Sequence, residues 1–153
     1  MSNKKTPWRI LVINPGSTST KVGVFEGDEC KLSKNVAHDA KDLAQFDGVS
    51  AQMPYRCDLI LGALGEAGLK LEDFDAFVGR GGGLLSLPGG TYAINEVMLE
   101  HARIGANGVR HPAQLGPQIA HEFAVKCGKP AFVVNPPDTD ELCDLARMTG
   151  IKG

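Results

Sequence analysis

Residues 10–25 constrain this chain more than any other stretch. Ile10-Leu11-Val12-Ile13 is a β-branched apolar run that stops at Asn14-Pro15-Gly16, and Lys21-Val22-Gly23-Val24-Phe25 resumes it a few residues on. A continuous apolar run reads as a strand covered on both faces. Glu26-Gly27-Asp28-Glu29 is a turn signal and Cys30 to Val36 reads as a third strand. Strands this close, joined by a Gly-Asp turn, form an antiparallel meander.

Helical spacing takes over afterwards. Asp39 is placed to cap a short helix through Phe46. Cys57, Ile60, Leu61, Leu64 and Ala67 recur at three and four residues, one apolar face of a helix over Pro54 to Ala67, with Gly68 just past its end. Phe74 to Val78 reads as a strand, and Thr91 to Ile94 as a short extended piece. Asn95 is placed to cap a helix over Val97 to Ile104. Leu115, Ile119 and Phe123 mark another helix, closed by Gly128 and Pro130. Ala131 to Val134 reads as the last strand and Asp140 to Met148 as the last helix. A meander followed by alternating helix and strand predicts an α/β fold, a mixed five-stranded sheet with flanking helices. At 153 residues the chain is sized for one domain, and the tail Thr149 to Gly153 closes nothing.

Composition excludes several classes. Sixteen Lys and Arg against eighteen Asp and Glu give a net charge of -2, without the basic excess of a nucleic-acid binder. The apolar run at Ile10 to Ile13 is too short for a membrane span or a signal-peptide core, although Lys4 and Lys5 precede it. The expectation is a soluble cytoplasmic protein with no nucleic-acid or membrane partner. Cys30, Cys57, Cys127 and Cys143 have no CxxC spacing, so they read as reduced thiols that mostly pack. His38, His101 and His121 read as helix-surface residues.

Four segments could carry chemistry. Asn14-Pro15-Gly16-Ser17-Thr18-Ser19-Thr20-Lys21 offers consecutive N–H groups, hydroxyls and a lysine, which suits an anion-binding turn. It is no Walker A loop, because the second glycine before Lys is missing and a strand follows. A plain Ser/Thr-rich hairpin turn has the same composition. In Gly79-Arg80-Gly81-Gly82-Gly83 the glycines leave the Arg80 fork uncrowded for a carboxylate or phosphate; a solvated surface Arg is the alternative. His111 stands just before a helix, where it could meet an anion, or be merely exposed. In Asn135-Pro136-Pro137-Asp138-Thr139-Asp140-Glu141, acids after a strand suit metal or general-base work, or simple helix capping.

Ile10 through Lys21 resembles the N-terminal signature of the acetate and butyrate kinases, nearest the butyrate kinase branch. Val78-Gly79-Arg80-Gly81-Gly82, Pro88-Gly89-Gly90-Thr91-Tyr92 and Ala131-Phe132-Val133-Val134-Asn135-Pro136 match in the same order. The resemblance implies a ribonuclease H-like lobe of the actin-like ATPase fold. Members are longer and have two lobes, so residues 1–153 would be a single N-terminal lobe. The second lobe, with the nucleoside site, would be absent. The implied activity is phosphotransfer from ATP, with Mg2+, to the carboxyl group of butyrate or a related short or branched fatty acid. The product is an acyl phosphate. The resemblance leaves room for a homo-oligomer in the full-length protein.

Carried over by position, Asn14, Gly16, Ser17, Thr18, Ser19 and Lys21 would bind phosphate, with Asn14 near the metal. Arg80, with Gly81 and Gly82, would bind the substrate carboxylate, and His111 would contact the phosphoryl group in flight. The family's catalytic Asp falls at Asn135, a departure; Asp138 and Asp140 are acids nearby but off the matching position. A carboxylate is ionised at neutral pH and needs no base, so positioning and charge neutralisation would carry the chemistry. Two other readings compete: a non-catalytic binding or interaction module, and an actin-like phosphohydrolase.

Overall fold

The computed structural model describes residues 6–148 and Gly150. The predicted tail, Gly150 apart, and Lys4 and Lys5 lie outside the described residues. Three antiparallel strands open the chain: β1 (Arg9–Pro15), β2 (Ser19–Glu26) and β3 (Glu29–Ala37). Helix α1 (Ala40–Leu43) is one turn long, capped by Asp39, whose side chain accepts the Lys41 N–H at 2.7 Å. Helix α2 (Met53–Glu66) precedes β4 (Ala76–Gly79) and β5 (Thr91–Ala93). Helix α3 (Glu96–Ile104) is capped by Asn95 and ends on left-handed Gly105. Helix α4 (Leu115–Cys127) and β6 (Ala131–Val134) complete the frame.

Among the described residues the sheet has six strands, in the order β3-β2-β1-β4-β6-β5. The predicted α/β class and mixed sheet hold, but the strand count is six, because Thr91–Ala93 pairs antiparallel with β6. Strands β1, β4 and β6 are parallel to one another. The β1–β4 register sets Ile13 beside Gly79, so both strands end at one edge of the sheet.

One face of the sheet carries the core. Leu11, Ile13, Val22 and Val24 pack against Ile60 and Leu64 of α2 and Leu115, Ile119 and Phe123 of α4. Phe77 makes edge contacts with Phe74 and Phe123. Strand β1 is not buried on both faces as its composition predicts. Leu11 and Ile13 are fully buried, whereas Ile10 and Val12, on the opposite face, are half-buried. Two other expectations fail. The predicted last helix is only a 3-10 turn, Asp144–Arg147, and Leu142, Leu145 and Met148 stay exposed among the described residues. His38 is buried beyond the end of β3, its ring 2.8 Å from Thr20 Oγ1, instead of lying on a helix surface. Of the cysteines, Cys57 is buried, Cys127 half-buried, and Cys30 and Cys143 exposed, so packing accounts for only half of them.

Glycines let β4 approach α4 at backbone distance. A Cβ on Gly79 would stand 2.2 Å from the Gly116 carbonyl oxygen, and one on Gly81 would stand 1.8 Å from that of Ala113. No L side chain fits there, so these glycines dock the end of β4 onto the start of α4. No helix of the described residues is long and apolar enough to cross a membrane.

Candidate functional site

A cleft of about 560 Å³ opens where β1 and β4 end. Crevices outside the carboxyl ends of parallel strands are where ligands bind in α/β sheets. Asn14 and Gly16 enter it from the end of β1, and Arg80 and Gly82 from the end of β4. The Arg80 N–H donates to the Ile13 carbonyl at 2.8 Å, which extends the β1–β4 ladder and fixes the base of the Arg80 side chain. Its guanidinium makes no hydrogen bond or ion pair with the described residues and is exposed.

His111 stands across the cleft at the start of a 3-10 turn, Pro112–Gln114, that leads into α4. Its backbone N–H donates to Gln114 Oε1 at 2.9 Å, and its ring Nδ1 accepts the Ala113 N–H at 3.1 Å. An accepting Nδ1 places the proton of the neutral ring on Nε2. The Nε2–H is then a donor without an acceptor among the described residues, on a side chain that lines the cleft.

Asp138 completes the lining from the loop after β6. Its Oδ1 accepts from Asn107 Nδ2, while its Oδ2 is buried without a hydrogen-bond partner among the described residues. Gly82 gives that oxygen its space, since a Cβ there would lie 2.6 Å from it. Asp138 is one of the acids that sequence reasoning left off the matching position.

The remaining predicted residues lie elsewhere. Lys21 is exposed and lines a shallower hollow of about 180 Å³, which shares Asn14 and Arg80 with the main cleft. Ser17 and Thr18 form the exposed tip of the β1–β2 turn and Ser19 begins β2. Gly81 is buried against Ala113. Asn135 is outside the cleft lining: its Oδ1 accepts the Gly90 N–H at 2.8 Å.

Sequence reasoning missed Arg56. It is fully buried on α2 and reaches back to the β1–β2 turn, donating to the Gly16 carbonyl at 2.9 Å and the Ser17 carbonyl at 3.3 Å. It also donates to Thr20 Oγ1 at 3.1 Å, and Thr20 in turn meets His38. The Thr20 hydroxyl thus stands between the Arg56 guanidinium and the His38 ring. Burial and the nearby Arg56 charge push the His38 pKa down to about 4. The one available signal was a charged residue beside the apolar face of α2.

The fold and cleft define a mixed α/β sheet with a ligand-sized crevice at the carboxyl ends of its parallel strands. A crystal structure of acetate kinase from Entamoeba histolytica shares the fold, with a TM-score of 0.50 at 18% identity, over 94% of this chain and 39% of that one. No family model matches the chain. The chain is similar to butyrate kinases over nearly its whole length. It is 39% identical over 144 residues to butyrate kinase 1 of Clostridium acetobutylicum and 43% identical over 144 residues to probable butyrate kinase 1 of Thermotoga maritima. Each match spans 94% of this chain and 40% of the relative, so the chain covers less than half the length of the curated relatives it matches.

Proposed function

We propose that residues 1–153 are the N-terminal lobe of a two-lobed cytoplasmic carboxylate kinase. It would transfer the γ-phosphoryl group of ATP to butyrate or a related short or branched fatty acid, forming an acyl phosphate. The observation that carries this reading is the meeting of Asn14, Gly16, Arg80 and His111 around one cleft at the ends of β1 and β4.

In this reading the Arg80 guanidinium, without a partner among the described residues, takes the substrate carboxylate through two parallel hydrogen bonds. The Asn14–Lys21 turn receives the phosphate groups. His111 Nε2–H donates to an oxygen of the phosphoryl group in transit, stabilising charge that spreads over its oxygens. The attacking carboxylate is already ionised, so no residue is needed as a base. That is consistent with Asn135 standing outside the cleft with its amide oxygen engaged by Gly90.

No group of three or more His, Cys, Asp or Glu among the described residues could hold a metal ion. Magnesium commonly binds through one or two carboxylates together with substrate phosphates. The unpartnered Asp138 Oδ2, near Asn14 in the cleft lining, fits that mode. Bound with ATP, the ion would neutralise phosphate charge.

The test is acyl phosphate formation from ATP, magnesium and butyrate, trapped as the hydroxamate. The 153-residue chain alone is expected to be inactive, because half of a water-excluding cleft is missing. A longer protein that continues this chain with a second lobe is expected to be active. An inactive two-lobed protein would favour a non-catalytic binding module, a reading to which Asn135 lends some support. Phosphate release from ATP without butyrate would favour a phosphohydrolase.

A further inference from the structure

Arg56 is completely buried, yet none of its partners is a carboxylate. Its five N–H groups go to neutral oxygens: Nη1 to Gly16 O and Thr20 Oγ1, Nη2 to Ser17 O and Gln52 Oε1, and Nε to Gln52 Oε1. A buried charge is normally paired, because removal from water is costly. Arg56 also lies in the first turn of α2, where the helix dipole disfavours a cation. These bonds satisfy the donors of the guanidinium and leave its charge unbalanced.

The two carbonyls it holds supply the reason. A trans peptide is planar, so its N–H points opposite its C=O. Drawing the Gly16 and Ser17 carbonyls toward Arg56 turns the N–H groups of Ser17 and Thr18 away from it. Among the described residues neither N–H has an acceptor, and both residues are exposed. Two adjacent free N–H groups, backed by an uncompensated positive charge, form an anion-binding concavity.

We propose that Arg56 is the positioning residue of this turn: it aims the Ser17 and Thr18 N–H groups at a bound phosphate, whose negative charge is its missing counter-charge. The inference rests on the reading of the Asn14–Lys21 turn as the phosphate site.

The test titrates inorganic pyrophosphate into the 15N-labelled 153-residue chain and follows the Ser17 and Thr18 amide resonances. Two substitutions separate geometry from charge. Arg56→Lys keeps the charge but cannot hold both carbonyls, and is expected to weaken binding about tenfold or more. Gln52→Glu keeps the clamp but gives the guanidinium a carboxylate. It is expected to weaken binding about three- to tenfold with no loss of thermal stability, an outcome that a purely structural Arg56 would not produce. Unchanged affinity in Arg56→Lys would overturn the positioning role, and unchanged affinity in Gln52→Glu the counter-charge role. If Arg56→Lys fails to fold, Gln52→Glu decides alone. No response of the wild-type turn amides would overturn the phosphate-site reading itself, a result distinct from equal response in wild type and variants.

Discussion

Asn135 and Gly90 hold each other twice: the Gly90 N–H donates to Asn135 Oδ1 at 2.8 Å, and the Asn135 N–H donates to the Gly90 carbonyl at 2.9 Å. The Asn135 side chain thus fastens the Pro88–Gly90 turn to the end of β6. Asn135 is also the one described non-glycine residue with positive φ, at 40°. Asn tolerates that region better than most residues.

Asn135→Ala is therefore expected to destabilise the chain by about 1–2 kcal/mol, through the lost acceptor and the backbone strain. Asn135→Asp keeps an acceptor for Gly90 and should lie within about 0.5 kcal/mol of wild type. Urea denaturation of the three proteins reads both values. In a two-lobed protein, Asn135→Asp should alter metal dependence without being required for activity. An inert wild type rescued by Asp would contradict the proposed chemistry.

Arg80→Lys should weaken butyrate binding about tenfold or more and leave pyrophosphate binding at the β1–β2 turn within a factor of about two, since Lys cannot form two parallel bonds to a carboxylate. Arg80 is exposed and makes no side-chain bond to the described residues, so stability should stay within about 0.5 kcal/mol. Parallel titrations of the two ligands, followed by amide shifts, make the comparison. Equal butyrate affinity in the variant would remove Arg80 from the carboxylate site.

His38 should impose a pH dependence on folding. Its folded pKa, about 4, lies below the usual 6.5 because burial and Arg56 both disfavour the imidazolium. Above pH 6.5 the ring is neutral in both states. As pH falls from about 6.5 toward about 4 the unfolded chain binds the extra proton first, so stability drops by up to about 3 kcal/mol, then levels off below the folded pKa. His38→Gln should flatten that part of the stability–pH curve, measured by urea denaturation at stepped pH. A slope between pH 6.5 and 4 that is the same in both proteins would assign it to other groups.

Gly81→Ala should be severely destabilising, by about 3 kcal/mol or more, because the new Cβ would fall 1.8 Å from the Ala113 carbonyl oxygen and one backbone segment or the other must move. Gly62→Ala, at a helix position with open space around the built Cβ, is the matched control and should be neutral or stabilising. Thermal unfolding of the pair separates steric exclusion from a general effect of added methyl groups.

Element order was readable because its signals are local. Asn95 precedes the helix it caps, Gly128 closes α4, and Leu115, Ile119 and Phe123 repeat on one face. The failures came where local signals lacked a packing partner. Residues 140–148 have a helical pattern but bury none of it against the described residues, and only a 3-10 turn forms. The half-buried face of β1 is a similar case: the sequence shows four consecutive apolar residues, while coverage of the second face depends on what packs there.

The sequence by itself determined the meander, the helix ends, the glycine-bounded Arg80 and the hydroxyl-rich turn, because periodicity, capping and turn chemistry operate within a few residues. Tertiary structure alone decided which of these meet. Parallel pairing of β1 with β4 places Asn14 beside the segment that carries Arg80, and close packing at Gly79 and Gly81 brings His111 across from them. It also placed Asp138 in the cleft, left Asn135 outside, and buried Arg56 and His38 behind the turn. Those outcomes depend on contacts between residues far apart in the chain, whose energies arise only once the sheet has brought them together and excluded water.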